Sequence, residues 1–246
     1  MGLETKHYEL LKQYGKGGTL LSLGYPDLLV KKDDLGVEAM VRPDSKDIGK
    51  WHNWPFDIYE SKDVFQKLGY ASYFVDLLPS RGCERVLDLN QPIEWAAQDM
   101  LEQFDVVLDP GTLEHVFNIG QAFKNVLALL KPGGVVIHLN PTNQINHGFW
   151  SISPTAYWDF YTQNGCGIEE ISTISGPVLN RVYQRLPLTP EGPITRWQVA
   201  VEMSVMCVAK KPLEGKATLW PIQTKYRNSA IMKEKEEAKL LEKDKK

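Results

Sequence analysis

The sequence predicts an α/β protein built on a doubly wound, mostly parallel sheet. Its 246 residues suffice for one large domain, and 43% of them are hydrophobic while 24% are charged. Short apolar runs alternate with helical stretches along the chain. Near-continuous Val, Leu and Ile in runs this short are typical of strands buried on both faces, and such strands form parallel sheets covered by helices.

Seven apolar runs predict the strands of this sheet. The first run breaks at Gly24-Tyr25-Pro26, where glycine and proline interrupt the extended chain. The last run alternates partly and follows a proline-rich loop, which predicts an antiparallel hairpin at the edge of the sheet. In order, the runs are Thr19–Val30, Tyr70–Leu78, Glu84–Asn90, Phe104–Asp109, Gly134–Pro141, Gly167–Gly176 and Trp197–Lys211.

One helix is predicted between the fourth and fifth strands. Asn118 is a suitable N-cap, and the run Lys131-Pro132-Gly133-Gly134 ends the pattern. Between them, apolar residues recur at helical spacing: Ile119, Ala122, Phe123, Val126, Leu127 and Leu130. Strand, helix and strand together predict a right-handed crossover.

Composition excludes several classes of protein. The formal net charge of -3 provides no basic field for nucleic acid or an anionic membrane. There is no apolar signal region and no continuous apolar span, so we expect a cytoplasmic protein. The three cysteines, Cys83, Cys166 and Cys207, lack metal-ligand or disulfide spacing, and no metal site is expected.

The chain divides into one domain and a tail. We predict a single domain over residues 1–212, with residues 31–68 inserted as a candidate lid, and a charged tail over residues 213–246. The insertion contains Trp51, His52 and Trp54 in a short polar region. These side chains form either a wall for the acceptor substrate or a surface loop held down by aromatic packing.

Polar residues follow the predicted strands at the edge where a doubly wound sheet binds its ligand. Asp76-Leu77 ends the second strand, and its carboxylate is suited to accept hydrogen bonds from both ribose hydroxyls. Asp88-Leu89-Asn90 ends the third strand, where polar side chains can bind an adenine edge beside an apolar neighbour. Asp109-Pro110-Gly111 ends the fourth. A strand-ending Asp is also a common turn former or helix cap.

Two segments resemble a known family. They are "FDVVLDPGTLEHVFNIGQAFKNVLALLKPGGVVIHLNP" (104–141) and "NHGFWSISPTAYWDFYTQNG" (146–165). They are similar to class I S-adenosylmethionine-dependent methyltransferases, in particular a bacterial group with an N-HGF-SP segment after the fifth strand. The resemblance implies a Rossmann-like sheet of seven strands with an antiparallel last strand. It also implies S-adenosylmethionine as cofactor, S-adenosylhomocysteine as product, and a small, nucleotide-linked or sugar-linked acceptor methylated at O or N.

The resemblance assigns the cofactor site position by position. Gly24, with Tyr25, would form the turn under the methionine part of the cofactor. Asp76, next to Leu77, would bind the ribose, and Asp109 would lie near the sulfonium at the mouth of the acceptor pocket. The adenine would lie between Asp88 and Leu89, with Asn90 nearby.

Two histidines are the predicted catalytic residues. An imidazole with a pKa near neutrality suits removal of a proton from an acceptor hydroxyl. His147, in the loop after the fifth strand, is the first choice and His115 the second. Each could instead serve the structure, His147 by bracing its loop and His115 by packing as a neutral, hydrogen-bonded ring beside a turn capped by Thr112 or Asp109.

Two other functions are compatible with this fold. A member of the fold that has lost catalysis could bind a partner or nucleoside as a scaffold. A dinucleotide oxidoreductase is disfavoured, because no Gly-x-Gly-x-x-Gly follows the first strand. The sequence leaves the oligomeric state open.

Overall fold

A computed structural model describes residues 2–14, 17–188, 201–214, 218–224 and 226–227. The helices are α1 Thr5–Tyr14, α2 Lys32–Leu35, α3 Ser45–His52, α4 Ser61–Lys67, α5 Ile93–Ala96, α6 Ile119–Leu129 and α7 Pro154–Gln163, with 3₁₀ turns at Gln98–Met100 and Leu113–His115. The strands are β1 Gly2–Glu4, β2 Thr19–Leu23, β3 Asp27–Leu29, β4 Ala71–Asp76, β5 Arg85–Val86, β6 Phe104–Asp109, β7 Leu130–Pro141, β8 Gly167–Ser175, β9 Val182–Arg185 and β10 Met203–Lys210.

The main sheet has eight strands in the order β5-β4-β2-β6-β7-β10-β8-β9. Strands β5, β4, β2, β6 and β7 are parallel, and β10 is antiparallel to both β7 and β8. The order reverses beside β2, as in doubly wound folds. The predicted Rossmann-like fold with an antiparallel last strand is therefore confirmed, with β9 as an eighth strand.

The predicted edge position of the last strand is wrong. β10 lies between β7 and β8, and β9 forms the edge. All residues of β10 except Lys210 are buried, and a partner strand on each side provides hydrogen bonds for its backbone groups. The part of the predicted run at residues 197–200 lies outside the described residues.

Two hydrophobic cores cover opposite faces of the sheet. Along β6, Val107 faces one core while Val106 and Leu108 face the other, as strand alternation requires. The first core packs against α5, α6 and α7. The second packs against α1, α4 and parts of residues 31–68. With both faces covered, the open end of the sheet is the place for a ligand.

The helix predicted between the fourth and fifth strands is confirmed as α6. α6 begins after Asn118, whose side chain accepts a hydrogen bond from the Gln121 N–H at 3.4 Å, and it ends at Leu129. β7 begins at once at Leu130, earlier than the predicted Gly134.

The division into domain and tail stays a prediction, but parts of both regions are described. Residues 31–68 contain α2, α3 and α4. From the tail, the Leu219 and Ile222 N–H groups donate to the side chains of Asn164 and Gln163 at 2.6 and 3.0 Å. Residues 219–222 therefore contact the C-terminal end of α7. Among the described residues, no helix is long and apolar enough to cross a membrane.

Candidate functional site

A cavity of about 380 Å³ opens at the carboxyl ends of β2, β4, β5 and β6. Eight of the ten residues predicted from the sequence line it: Gly24, Tyr25, Asp76, Leu77, Asp88, Leu89, Asn90 and His115. Asp109 and His147 do not. Cavities of about 390 and 490 Å³ lie elsewhere, but this one occupies the point where the strand order reverses.

The turn after β2 depends on one glycine. Gly24 has a φ of 86°, which favours glycine, and a Cβ there would lie 3.3 Å from Thr112 Oγ1. Its N–H donates to the Val75 carbonyl at 2.7 Å, and the buried Ser22 hydroxyl donates to the Gly24 carbonyl at 2.8 Å. The Thr112 hydroxyl also donates to the Leu23 carbonyl, so the turn is tied to β4 and to the segment after β6.

Tyr25 contacts the inserted segment, residues 31–68. Its hydroxyl donates to Glu60 Oε2 at 2.7 Å, and its ring packs on Phe74 with centroids 4.7 Å apart. The Arg81 guanidinium lies 5.3 Å from the ring centroid. Burial raises the pKa of the Tyr25 hydroxyl, so it stays neutral. These contacts stabilise the turn.

Asp76 lies beside the glycine turn. Its Oδ1 accepts a hydrogen bond from the Leu78 N–H at 3.1 Å. Its Oδ2 faces Gly24, 3.7 Å from where a Cβ would stand. Since Asp76 also lines the cavity, this carboxylate is placed to accept hydrogen bonds from a bound ligand.

The third predicted strand is cut short at this site. Only Arg85 and Val86 pair with β4, because Asp88 Oδ1 then accepts hydrogen bonds from the Asn90 N–H at 2.9 Å and the Asn90 amide at 2.7 Å. The extended prediction through Asn90 is therefore wrong after Val86. The turn places Asp88, Leu89 and Asn90 along the cavity wall instead.

Asn125 supports this wall and was missed by the sequence analysis. It is completely buried, its amide donates to the Leu89 and Gln91 carbonyls at 3.0 and 2.9 Å, and its Oδ1 accepts from the Ile93 N–H. The available signal was a lone amide on the apolar face of a predicted helix. Such a residue needs hydrogen-bond partners, and here they are the backbone of a binding turn.

Asp109 does not open into the cavity. It is fully buried, and its Oδ2 lies 2.7 Å from His138 Nδ1. Its Oδ1 accepts hydrogen bonds from the Thr112 and Leu113 N–H groups at 2.8 and 3.2 Å. His138 Nε2 in turn lies 2.5 Å from the Tyr161 hydroxyl. The predicted place of Asp109 at the pocket mouth is thus corrected, because the carboxylate is enclosed and caps the next turn.

That turn carries Glu114 and His115 towards His147. Glu114 Oε1 lies 3.5 Å from His147 Nε2 and 3.9 Å from His115 Nε2, and the two imidazole centroids are 5.6 Å apart. The Glu114 carboxylate is fully buried, whereas the His115 and His147 side chains are 53% and 32% exposed. The buried carboxylate thus meets two accessible imidazoles.

The electrostatic surroundings of the cluster formed by Glu114, His115 and His147 favour the neutral form of these side chains. Burial, helped by the charge of Asp109, raises the pKa of Glu114 to about 7. Burial also lowers the pKa of His115, and burial together with neighbouring His115 lowers the pKa of His147. Neutral imidazoles can accept a proton or bind a metal ion.

Gly148 lets the loop after β7 lie directly on Glu114. The Phe149 and Trp150 N–H groups donate to the Glu114 carbonyl at 2.8 and 3.2 Å. A Cβ at position 148 would lie 2.8 Å from that carbonyl oxygen and 3.0 Å from Glu114 Cγ. Glycine is therefore required for the close approach that brings His147 to the cluster.

We expect Gly148→Ala to displace this loop and lower the free energy of unfolding by about 1–3 kcal/mol, the usual cost of overpacking. Urea denaturation measures the change. Gly167→Ala is the matched control, because a Cβ there meets nothing within 4 Å. Equal stability of the two variants would contradict the close packing of the loop.

Residues 51–54 lie away from the cavity. Trp54 is buried and packs with Leu29 and Ile58, while Trp51 is 77% exposed. His52 Nε2 lies 2.9 Å from Asp27 Oδ2. None of the three lines the cavity, so of the two interpretations, aromatic packing of a surface segment agrees better with these contacts than an acceptor wall does.

Comparison with known proteins gives only distant structural similarities. No family model and no curated protein matches the chain. Similar solved structures include 1,6-didemethyltoxoflavin-N1-methyltransferase of Burkholderia thailandensis with bound S-adenosylhomocysteine (16% identity, 83% of this chain, 75% of the other, TM-score 0.43). N-methyltransferase NodS of Bradyrhizobium japonicum is another (13%, 85% of each chain, 0.44), as is the cyclase SpnF (12%, 85% and 81%, 0.44). At these identities and TM-scores, the similarities do not assign an activity to this chain.

Proposed function

We propose that the protein is an S-adenosylmethionine-dependent methyltransferase that acts on a small, nucleotide-linked or sugar-linked acceptor at O or N. The observation that carries the proposal is the cavity at the carboxyl ends of the strands. There the Gly24 turn, Asp76 and the 88–90 turn surround a space that extends to His115. Its volume lies within the usual range for small-molecule sites.

The residues present fit an adenosyl cofactor. Asp76 would accept hydrogen bonds from the ribose, the 88–90 turn would flank the adenine, and Gly24 leaves room beside Thr112. When bound, the cofactor supplies a methyl group on an electrophilic sulfonium. The protein then has to align the acceptor and, for a hydroxyl acceptor, remove its proton.

The cluster of Glu114, His115 and His147 is the proposed acceptor side. His115 connects the cluster to the cavity, and His147 is the leading candidate for the base. Beside it, Phe117 and Phe149 are 68% and 65% exposed, with ring centroids 5.5 Å apart. Exposed aromatic rings next to a polar cluster suit a small acceptor with one apolar face.

A dinucleotide fits this site poorly. Pyrophosphate binding in doubly wound folds uses a helix N-terminus directly after the glycine turn. Here β3 follows Gly24, and the next helix, α2, begins only at Lys32. The second candidate function is a scaffold that binds a nucleoside without turnover. It is favoured because Tyr25 and Pro26 follow the single Gly24 and restrict the close approach of the backbone to a cofactor.

Calorimetry with S-adenosylmethionine, S-adenosylhomocysteine and NAD separates these functions. We expect micromolar binding of the first two and none of NAD. Binding of both adenosyl ligands without methyl transfer to any acceptor in a screen would favour the scaffold. Failure of both to bind would refute the proposed function.

Asp76→Ala should weaken S-adenosylhomocysteine binding by about 1.5–3 kcal/mol, roughly 10- to 150-fold, because a carboxylate that binds hydroxyls is lost. Isothermal titration measures the dissociation constant. Asp47→Ala, which removes an exposed carboxylate on α3, is the control and should bind as the wild type does. Unchanged affinity in Asp76→Ala would show that the ribose does not lie there.

A further inference from the structure

In the part of the chain that the structure describes, Glu114 has a buried carboxylate oxygen without a hydrogen bond. Oε2 accepts a hydrogen bond from the Asn140 amide at 2.8 Å, and Asn140 Oδ1 accepts one from the Tyr157 hydroxyl at 2.5 Å. These partners orient the carboxylate. Among the described residues, Oε1 has no hydrogen-bond partner although it is fully buried. A buried carboxylate oxygen left without a partner normally destabilises a protein.

The unpaired oxygen faces two imidazoles. One ligand atom each from Glu114, His115 and His147 can be chosen so that all three lie within 4.8 Å of one another. The His147 contact, at 3.5 Å, makes no hydrogen bond with Oε1. A cation bound among these three side chains would give Oε1 a partner.

We propose that Glu114, His115 and His147 bind one divalent transition metal ion. Two imidazoles and one carboxylate suit Zn²⁺, Mn²⁺ or Fe²⁺ better than Mg²⁺ or Ca²⁺, which prefer oxygen ligands alone. Glu114 and His115 are adjacent, whereas His147 lies far along the chain. This spacing matches no local metal-binding motif, so the site could not be predicted from the sequence.

The distances are close to those of a bound site. With ligands about 2.1 Å from a tetrahedral metal ion, ligand atoms stand about 3.4 Å apart. The 3.5 and 3.9 Å distances to Glu114 Oε1 are near this value. His115 has to approach Oε1, and the two imidazoles have to approach each other. Both rings are partly exposed, His115 at the end of a 3₁₀ turn and His147 in the loop after β7, while Asn140 fixes the carboxylate.

Three protein ligands would leave coordination positions of the ion free. Three protein ligands with the remaining positions free are typical of catalytic rather than structural metal sites. Because His115 lines the cavity, the free positions would meet the acceptor. This role rests on the proposed function: the ion would bind the acceptor oxygen and lower its pKa, so the proton would leave to solvent while the histidines serve as ligands.

The test is calorimetric titration of the full chain, first freed of metal with EDTA, with ZnCl₂, MnCl₂ and MgCl₂ in separate experiments. We expect one Zn²⁺ or Mn²⁺ per chain, with Mg²⁺ at least tenfold weaker. Glu114→Gln, which keeps the side-chain shape, and His115→Gln, which changes an exposed ring, should each weaken binding at least tenfold. His52→Gln, a histidine that pairs with a carboxylate elsewhere, should not.

Two results would overturn the inference. One is the absence of stoichiometric Zn²⁺ or Mn²⁺ binding by the wild type, whether or not Mg²⁺ binds. The other is equal affinity in the wild type, Glu114→Gln and His115→Gln. S-adenosylhomocysteine titrated in parallel keeps the two proposals apart: binding of it without any metal ion refutes only the metal site, whereas metal binding without it refutes the proposed function.

Discussion

Asp109→Ala should destabilise the protein by about 3–5 kcal/mol, although the residue does not touch the cavity. The carboxylate is fully buried and has three partners, His138 Nδ1 and the Thr112 and Leu113 N–H groups. Removing it leaves the buried His138 ring and Leu113 N–H, and the partly buried Thr112 N–H, without their acceptor. Losing one member of a buried, hydrogen-bonded pair typically has an effect of this size.

Urea denaturation followed by circular dichroism measures this loss. Asp105→Ala is the matched control, because Asp105 lies in the same strand and also accepts hydrogen bonds, from Thr19 and Lys131, but is 40% exposed. We expect it to lose only about 1 kcal/mol. Equal losses in the two variants would mean that the enclosed Asp109 contacts contribute little to stability.

Asp109 also fixes the position of two residues of the candidate site. Its Oδ1 caps the 3₁₀ turn at Leu113–His115, so it fixes the backbone from which Glu114 and His115 project. Its charge helps to raise the pKa of Glu114. Asp109 is therefore a positioning residue for the cluster.

The parts of the fold that local patterns determine were predictable. β6 follows from one apolar run, and α6 follows from its N-cap and the helical spacing of its apolar residues, because these signals lie within or next to each segment. The Pro-Gly-Gly run does not end the helix but lies inside β7. The short length of β5 was not predictable from its own run. The chain leaves the sheet at the 88–90 turn, and that turn is held by Asn125, more than thirty residues away, whose amide donates to the Leu89 and Gln91 carbonyls. The internal position of β10 depends in the same way on its two partner strands.

Strand register explains why Asp109 was misplaced. A carboxylate at the end of a strand looks the same in sequence whether it faces a cavity or a neighbouring strand. In the parallel pair of β6 and β7, Asp109 lies opposite His138, and that register places the two side chains together. The apolar pattern predicts both strands but does not define which residues face each other.

The meeting of Glu114 with His147 depends on a loop. Backbone hydrogen bonds from residues 149 and 150 to Glu114, together with the close approach at Gly148, fold the loop back over the 3₁₀ turn. Sequence order places both segments at the same edge of the sheet. It does not reveal that a buried carboxylate lies between the two histidines.

His147→Gln should lower kcat by about 10² to 10⁴ while S-adenosylhomocysteine affinity changes little. Glutamine keeps much of the bulk and hydrogen bonding of the ring but lacks its basicity. Because His147 does not line the cavity, cofactor binding should be spared. Initial rates with an acceptor that the wild-type enzyme methylates measure kcat. His52→Gln, which changes a histidine away from the cavity, is the control and should keep the wild-type kcat.

Acidification and metal removal separate the two ways in which His147 can act. The neutral imidazole is the active form for either role, and because burial and His115 lower the pKa of His147, activity should persist below pH 6.5, its ordinary pKa, and fall only at lower pH. A wild-type enzyme that keeps its kcat after EDTA treatment would use His147 as the base. One that loses kcat and regains it with Zn²⁺ or Mn²⁺ would use His147 as a ligand. Near-normal kcat in His147→Gln would contradict both roles and leave the ring only to brace its loop.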